Sequence, residues 1–346
     1  MPPALRGWCC AKTYHQQGEV HDPVADLKDV QLSKQESSFD QNDESLKNMN
    51  LNQLHTSQKF VQKWEREQKF TKDQQTAMQN FRKRAYDAGI LPTHFDNKPF
   101  IYRFCKARDY DVDKAFLMYS RHMEWREKWG LNDWIDKGHG PMPRMLYDFK
   151  FSDRKKHKDA YNHVHHKTDK LGRLVYVDRA GSLDAKKVLS LDQDQLLKAY
   201  IWDCEATLWF RLPACSVKSR KHIGKTLTII DLKGLGLSLL TDSKAKAYLK
   251  TIIGVSQDNY PEMLGKMFII NAPKIFSMLW KFISPMLEQH TRDKISVMSN
   301  KSTWLPKLQE LMESGDIPVF LGGTDSSLDY VNEQGPWTES LPDIRQ

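Results

Sequence analysis

Apolar residues in the first third of the chain recur with the period of an α-helix. Phe60, Val61 and Trp64 share one face of a helix, so we predict ordered structure from about Gln58 onward. Three further helices are predicted from the same spacing, over residues 71–88, 99–105 and 112–129. These segments together predict a small helical domain.

Beyond Pro143 the pattern changes to short apolar runs that alternate with longer helical segments. The runs are typical of strands and cover residues 163–165, 174–177, 227–230, 266–270 and 295–298. The predicted helices between and after them cover residues 194–210, 242–255 and 304–312. Strands that alternate with helices indicate βαβ units, so we predict an α/β fold with a mainly parallel sheet.

One more predicted helix, over residues 275–287, is apolar on every side. Its apolar residues are Ile275, Phe276, Met278, Leu279, Trp280, Phe282, Ile283, Met286 and Leu287. A surface helix normally has one apolar stripe, whereas a helix that is apolar all round is buried or contacts something other than water. The segment is too short to cross a bilayer, which takes about 20 residues. It is therefore either a core element or a lipid-contacting element.

The first 56 residues differ in composition from the rest of the chain. They are rich in Gln, Asn, Asp and Ser, so we predict a disordered arm over residues 1–56. This arm holds five Lys or Arg residues and eight Asp or Glu residues, although the 346-residue chain has a net charge of +8. The remainder is therefore basic, which favours an anionic membrane surface as a partner. A basic surface without a dedicated partner stays open, and we predict no nucleic-acid binding because zinc-finger and RNP-like patterns are absent.

The sequence contains no recognisable catalytic motif. A phosphate-binding loop, an HExxH helix, a GxSxG elbow and paired CxxC motifs are all absent, so we predict no enzyme and no cofactor. His163, His165 and His166 lack an obvious carboxylate or thiolate set, so solvated or core histidines are favoured over a metal site. The segment 234–236 follows a strand but lacks the third glycine of a dinucleotide-binding loop.

Cysteine usage and hydropathy bear on the compartment. The five cysteines are scattered and odd in number, which favours a reducing, cytoplasmic compartment over a disulfide framework. No early apolar run is typical of a signal peptide, and no segment approaches the length of a membrane span. Palmitoylation of Cys9 or Cys10 stays open.

Several residue strings resemble the CRAL-TRIO lipid-binding family. They occur in matching order and spacing as residues 104–111, His166-Lys167-Thr168-Asp169-Lys170, Arg211-Leu212-Pro213-Ala214-Cys215-Ser216, Asp231-Leu232-Lys233-Gly234, Ile270-Asn271-Ala272-Pro273 and Gly335-Pro336-Trp337. The resemblance covers roughly residues 75–337 and is nearest to the phosphatidylinositol/phosphatidylcholine transfer proteins of the secretory pathway. It implies a helical domain over 57–140, packed on a lipid-binding domain over 141–323, with a tail over 324–346.

The resemblance also implies that residues 274–287 form a mobile gate helix over a lipid cavity. Each CH₂ group of an acyl chain removed from water is worth about 0.8 kcal/mol, so a transfer protein needs a dry pocket. The element that closes such a pocket must be stable both against the protein interior and in a bilayer interface, and a helix that is apolar all round meets this requirement. The expected gate residues are Ile275, Phe276, Leu279, Trp280, Phe282, Ile283 and Met286. A static core helix stays the alternative.

The resembled family holds the inositol phosphate with four polar residues. Their positions fall on Arg108, Glu262, Thr291 and Lys294. A phosphodiester in a low dielectric needs cationic donors, and the inositol hydroxyls need acceptors, so this residue set fits the ligand. One departure is Asp109, which stands where the family has a lysine after the arginine. An ordinary Arg108–Glu262 ion pair stays the alternative.

The family's choline-lipid site is less well matched. It corresponds to His165, Tyr176, Thr226 and Thr228, with His165 in place of a tyrosine and Thr226 in place of a serine. An imidazole that can protonate is a poor partner for a quaternary ammonium group. Phosphatidylinositol is therefore better supported than phosphatidylcholine, and the second ligand stays open.

The interpretation is a monomeric phospholipid transfer protein that performs no covalent step. By resemblance it would contact anionic membranes transiently, at the Golgi or endosomes, and supply phosphatidylinositol to a phosphatidylinositol kinase. One alternative is a carrier or sensor of a sterol, tocopherol or retinoid. The other is a lipid-dependent regulatory scaffold whose N-terminal arm contacts a protein partner.

Overall fold

The structure is a computed structural model that describes residues 49–236 and 241–339. Most of the predicted disordered arm, residues 1–48, lies outside the described residues. The rest of the arm contains a helix, α1 (Leu51–His55), whose N-cap Asn50 accepts a hydrogen bond from the Gln53 amide. His55 is buried and hydrogen-bonds to Ser216 Oγ at 2.7 Å. The prediction of disorder was therefore wrong for residues 51–55, because a capping box and one buried histidine stabilise a segment with little apolar surface.

Four longer helices follow where periodicity predicted them. They are α2 (Gln58–Gln68), α3 (Lys72–Asp87), α4 (Lys98–Lys106) and α5 (Val112–Lys128). Helix α3 begins with a capping box in which Thr71 and Gln74 satisfy each other's backbone amides. A two-stranded antiparallel hairpin comes next, formed by β1 (Trp134–Asp136) and β2 (Pro141–Pro143). The hairpin was not predicted.

The sheet domain has five strands. These are β3 (His163–Thr168), β4 (Leu174–Asp178), β5 (Thr226–Asp231), β6 (Leu264–Ile270) and β7 (Ile295–Val297). They lie side by side in chain order, and only the β3–β4 pair is antiparallel. The prediction of an α/β fold with a mainly parallel sheet is confirmed.

Helices surround this sheet. They are α6 (Met145–Asp148), α7 (Arg154–Ala160), α8 (Ala185–Leu189), α9 (Gln193–Ala206), α10 (Leu212–Ser219), α11 (Ser243–Asn259), α12 (Phe276–Ile283), α13 (Gln289–Asp293) and α14 (Lys301–Leu311). The predicted helix over 194–210 is regular only to Ala206, where a π-helical turn joins α9 to α10. Asp192 caps α9 by accepting from the Gln195 amide.

A shared core joins the helical part to the sheet part. Phe81, Phe104 and Tyr119 from the helical part pack in one cluster with Trp202 and Phe210 from the sheet part. An ion pair also crosses this junction, with 2.9 Å between Arg126 Nη1 and Glu205 Oε1 and no exposure of either side chain. Burying both charges is tolerated because further hydrogen bonds satisfy them, including one donated by Tyr260 to Glu205. The predicted boundary at 140/141 therefore lies within one continuous core.

The two faces of the sheet differ in how tightly they are covered. On one face, which we call the packed face, Val175, Val177, Leu227 and Ile229 are fully inaccessible and pack with Trp304 and Leu308 of α14. On the other, the loose face, Tyr176, Ile230, Met267 and Ile295 are only partly buried, although Ile230, Met267 and Ile295 lie beneath α12. Side chains in a close-packed interior are not accessible to water. The contact between the loose face and α12 is therefore not fully packed.

Candidate functional site

Three charged residues meet where the parallel strands begin. Lys225, Glu262 and Lys294 come shortly before β5, β6 and β7, so neighbouring strands bring them together. Lys294 Nζ lies 2.9 Å from Glu262 Oε1, and Lys225 Nζ lies 3.5 Å from Glu262 Oε2. The structure thus brings together Glu262 and Lys294, two of the four predicted head-group residues, and adds Lys225.

Glu262 is the buried centre of this cluster. Its side chain is 1% exposed, and its backbone adopts a left-handed conformation with φ of 58°. Burial raises the pKa of Glu262, but Lys225 and Lys294 outweigh it and hold the pKa below its ordinary value. Among the described residues, Glu262 Oε2 has no hydrogen-bond partner. Glu262 Oε2 therefore keeps a long ion-pair contact with Lys225 but accepts no hydrogen bond from the described residues.

Arg108 reaches the same cluster through a second acidic residue. Arg108 Nη1 lies 2.7 Å from Glu288 Oε1. His290 Nε2 lies 3.4 Å from Glu288 Oε2 and 3.5 Å from Glu262 Oε1, so it stands between the two carboxylates. The direct Arg108–Glu262 pair considered as an alternative is not formed, because Arg108 pairs with Glu288. Thr291 follows His290 on α13, where its amide donates to the Glu288 carbonyl.

We call the six residues Arg108, Lys225, Glu262, Glu288, His290 and Lys294 the ionic cluster. Its three Lys or Arg residues face two carboxylates, so with a neutral histidine its net charge is +1. Sequence reasoning missed Lys225, Glu288 and His290. The signal for Lys225 was its position just before a parallel strand, as for Lys294. Nothing local indicated that Glu288 is the partner of Arg108, which lies 180 residues away in the chain.

The residues predicted for a second ligand divide into two groups. His165, Tyr176 and Thr228 form one row across β3, β4 and β5, and the His165 and Tyr176 ring centroids are 4.9 Å apart. Thr226 lies two residues nearer the ionic cluster, where its Oγ1 donates to the Met263 carbonyl at 3.3 Å. The structure thus brings three of the four residues together.

Two carboxylates lie beside His165, contrary to the absence of nearby acidic groups inferred from the sequence. His165 Nδ1 is 3.7 Å from Asp203 Oδ1 and 3.6 Å from Glu333 Oε1. The spacing of these three side chains would suit a metal ion. However, the buried Arg211 guanidinium binds both acids, at 3.0 Å from Asp203 and 2.7 Å from Glu333. Burial raises the pKa of Glu333, but Arg211 holds it well below its ordinary value, and this single guanidinium offsets one of the two carboxylate charges.

The comparisons with known proteins agree with this architecture. Residues 158–323 match the CRAL/TRIO domain model. The phosphatidylinositol/phosphatidylcholine transfer protein SFH7 of Arabidopsis thaliana is 34% identical over 255 residues, which are 72% of this chain and 44% of that relative. SEC14 cytosolic factor of Kluyveromyces lactis is 28% identical over 273 residues, which are 77% of this chain and 85% of the relative. The chain belongs to the CRAL-TRIO family.

A solved structure shares the fold of this CRAL-TRIO chain. The crystal structure of Sfh5 superimposes with a TM-score of 0.54 at 16% sequence identity and covers 75% of this chain and 90% of that one. The chain spans less than half the length of SFH7 and of the other plant transfer proteins it matches first. The predicted family and fold are confirmed.

A helix forms at the position predicted for the gate, but it is shorter than expected. Regular helix covers α12, and a 3₁₀ turn at Ser284–Met286 follows it. Phe276 is the only residue of α12 that is buried, whereas Met278 is 54% exposed. None of the helices in the described chain is both long enough and apolar enough to cross a membrane. Full burial of α12 is therefore excluded as the explanation for its composition.

Polar contacts hold α12 at its two ends. Before the helix, Asn271 Nδ2 donates to Asp231 Oδ1 at 2.8 Å, and the Trp304 indole donates to Asn271 Oδ1. After it, the Gln257 side chain donates to the Met286 carbonyl and accepts from the Glu288 amide. Between these ends Phe276, Leu279 and Trp280 make apolar contacts with the loose face. Apolar contacts are non-directional, so the helix can leave the loose face without stranding buried hydrogen-bonding groups.

Proposed function

We propose that this protein binds one phosphatidylinositol molecule between the loose face and α12 and exchanges it between membranes without a covalent step. Support comes from the family, from relatives named as phosphatidylinositol/phosphatidylcholine transfer proteins, and from the ionic cluster. The observation that carries the proposal is the buried Glu262 Oε2, which accepts no hydrogen bond from the described residues, in a cluster of net charge +1. A phosphodiester of charge −1 would balance that charge, and an inositol hydroxyl would satisfy that oxygen.

The contacts of each residue suggest its role. Lys294 and Arg108 would donate to the phosphate after loosening their pairs with Glu262 and Glu288, while Glu262 would accept from the inositol ring. Thr291 would add a hydroxyl from α13. The acyl chains would lie against Ile230 and Met267, which are apolar and incompletely covered. In this arrangement the charged head group would lie where the parallel strands begin, and the acyl chains would lie beneath α12.

Exchange would occur by movement of α12 into the membrane interface. Met278 already faces outward, and the partly buried Leu279, Trp280, Phe282 and Ile283 would follow when the helix moves. The basic body of the chain would keep the protein near anionic lipid during this step. We further propose that a phosphatidylinositol kinase uses the delivered lipid and that the protein acts as a monomer in the cytoplasm, at Golgi or endosomal membranes. The His165 row would hold the second ligand's head group.

The test is vesicle-to-vesicle transfer of phosphatidylinositol and phosphatidylcholine by Lys294→Ala and Glu262→Gln. Each substitution removes a charge-assisted hydrogen bond, which is worth about 1.5–3 kcal/mol, so phosphatidylinositol transfer should fall about tenfold or more while phosphatidylcholine transfer is spared. The matched control is Lys128→Ala, an exposed lysine at the end of α5.

Two results would contradict the head-group assignment. Equal losses for both lipids would indicate simple destabilisation, and unchanged transfer would favour a carrier of a sterol, tocopherol or retinoid. Native mass spectrometry of co-purified lipid identifies the ligand directly. Deleting residues 1–48 separates transfer from scaffolding, because a scaffold would lose its biological effect while transfer by the shortened chain continues.

A further inference from the structure

A cavity lies at the opposite end of the sheet from the ionic cluster. It has a volume of about 540 Å³ and is lined by residues at or just after the ends of β4, β5, β6 and β7, among them Arg179, Asp231, Asn271 and Ser299. Parallel sheets bind ligands at the carboxyl ends of their strands, and this volume lies within the range of small-molecule sites, roughly 300–1,000 Å³. The cavity is therefore built where an α/β sheet offers a site.

Positive charge dominates the lining of this cavity. Its titratable lining residues are Arg179, Lys233, Lys301 and Asp231, which give a net charge of +2. In the part of the chain that the structure describes, none of the three cations forms an ion pair with a carboxylate. The single acid is already engaged, because Asp231 Oδ1 accepts from the Lys233 amide and from Asn271 Nδ2. The cavity thus has cationic donors in excess of its acceptors.

Among these residues, Arg179 gives the clearest indication that an acceptor is missing from the cavity. Its guanidinium carbon lies 4.9 Å from the centroid of the Phe320 ring, and the Tyr330 hydroxyl interacts with the same guanidinium. Its Nε atom is nevertheless buried without a well-aligned hydrogen-bond partner among the described residues. A buried N–H group without an acceptor costs about 1–3 kcal/mol, so native proteins rarely retain one without a reason. An anion in the cavity would supply the missing acceptor.

Close backbone contacts hold Arg179 in place. Gly181 stands so near the loop after β5 that a Cβ atom would lie 2.3 Å from the Leu232 carbonyl carbon. Gly234, with φ of +94°, has less severe crowding, since its Cβ would lie 3.0 Å from the Gly181 carbonyl oxygen, but its left-handed backbone favours glycine. These two glycines lock the loop after β4 against the loop after β5. Arg179 and Lys233 are thereby held on adjoining walls of one cavity.

The start of α14 adds a further favourable feature. Ser299 and Lys301 line the cavity at the amino end of this helix, and the N-cap residue Asn300 makes no capping hydrogen bond with its side chain. The first amides of a helix and its dipole favour negative charge at that end. This field adds to the charge of the three cations.

We propose that this cavity binds a phosphate monoester, at a site separate from the ionic cluster. A phosphate monoester carries a charge of about −1.5 to −2 near neutral pH, which balances the +2 of the lining, and Arg179 offers the fork geometry that phosphate oxygens accept. The ester group belongs either to a soluble metabolite or to a lipid head group exposed on a membrane. The same chemistry serves both, so the test has one arm for each.

The soluble arm is calorimetric titration of the full chain with glycerol 3-phosphate. The membrane arm is co-sedimentation with vesicles that contain phosphatidic acid. The comparison is with vesicles of equal surface charge that contain phosphatidylserine instead, because this lipid has no phosphate monoester. Arg179→Gln and Lys301→Gln should each weaken binding about tenfold or more. The controls are Arg66→Gln and Lys186→Gln, exposed cations outside the cavity.

Each result decides the proposal. Binding of glycerol 3-phosphate that both cavity variants weaken and both controls retain supports a soluble ligand. Binding only to phosphatidic acid vesicles, weakened by the same variants, supports a membrane source. Equal binding by the wild type, Arg179→Gln and Lys301→Gln in both arms, or no binding in either arm, overturns the proposal. Lys301 is exposed on the surface, so Lys301→Gln keeps the test decisive if Arg179→Gln does not fold.

Discussion

Neighbouring residues of the same strands have very different surroundings on the two faces of the sheet. Ile229 of β5 is 0% exposed on the packed face, where it lies among Val177, Phe268 and Trp304. The next residue, Ile230, points to the loose face and is only partly covered. Because side chains alternate along a strand, one short sequence can build a tight core on one face and an accessible surface on the other.

The two faces also differ in chemistry. The packed face is built from apolar side chains, whereas Tyr176, Asp178, Thr226 and Thr228 project to the other side of β4 and β5. Polar groups are costly in a core and useful in a ligand site. Under the proposed function, stability and ligand contact would fall on opposite faces of one sheet, so substitutions one residue apart should have separable effects.

The largest expected effect tests this separation directly. Ile229→Ala should lower the free energy of unfolding by about 2–5 kcal/mol, because it leaves a cavity in a close-packed core. Ile230→Ala removes the same atoms from a face that is not fully packed, so its loss should be less than half as large. Urea denaturation of the lipid-free protein measures both. Equal losses would show that the loose face is packed as well as its opposite.

The next effect concerns how the buried Asp178 carboxyl group on the loose face makes stability depend on pH. Burial raises the pKa of Asp178 to about 7 from an ordinary value of 3.8. The unfolded chain releases this proton more readily, so Asp178 should destabilise the protein progressively as pH rises from about 4 to about 7. Asp178→Asn should remove that dependence and gain on the order of 4 kcal/mol at pH 8 relative to pH 4.

The measurement is the free energy of unfolding at several pH values. The matched control is Asp159→Asn on α7, whose carboxylate is exposed and pairs with Lys155. It should leave the pH profile unchanged. If the profiles of Asp178→Asn and the wild type run parallel between pH 4 and 8, the buried carboxyl group does not titrate in this range.

The smallest effect on stability is expected at the outer surface of α12. Met278→Gln should change the free energy of unfolding by less than about 0.5 kcal/mol, because the side chain is exposed. It should nevertheless weaken binding to anionic vesicles about tenfold, since a buried methionine is worth about 1.5–3 kcal/mol. Val297→Gln on β7 is the control, because Val297 is also exposed and apolar. Equal loss of vesicle binding in both variants would argue against α12 as the membrane-contacting element.

Periodicity predicted most regular elements of the fold. The apolar spacing around Trp64 and the apolar run before Asn271 each specified an element within a few residues, because long periodic segments carry a strong signal. The hairpin at 134–143 was missed since each of its strands has only three residues, and two of the three in β2 are prolines. The helix at 51–55 was missed because its stability comes from caps and from one buried histidine rather than from an apolar stripe.

The candidate site was predictable only in part. The resemblance placed Glu262 and Lys294, and the structure joins them directly. It did not indicate Glu288 as the partner of Arg108, or Glu333 as the partner of Arg211 across 122 residues. Such pairs are set by how distant segments meet in three dimensions, and no local pattern encodes them. The head-group roles themselves stay predictions.

The contacts of Trp337 limit how far the chain can be shortened at its carboxyl end. The family match ends at residue 323, yet the Trp337 indole is wholly inaccessible and packs with Leu174, Leu212 and Ile223. Its ring also fills the space beside Gly335 and donates to Glu333, which neutralises Arg211. A fragment that ends at residue 323 would expose the apolar pocket that Trp337 fills and would leave Arg211 without Glu333, paired only with Asp203 among the described carboxylates. The packed structure therefore extends at least to Trp337, beyond the residues that the family model matches.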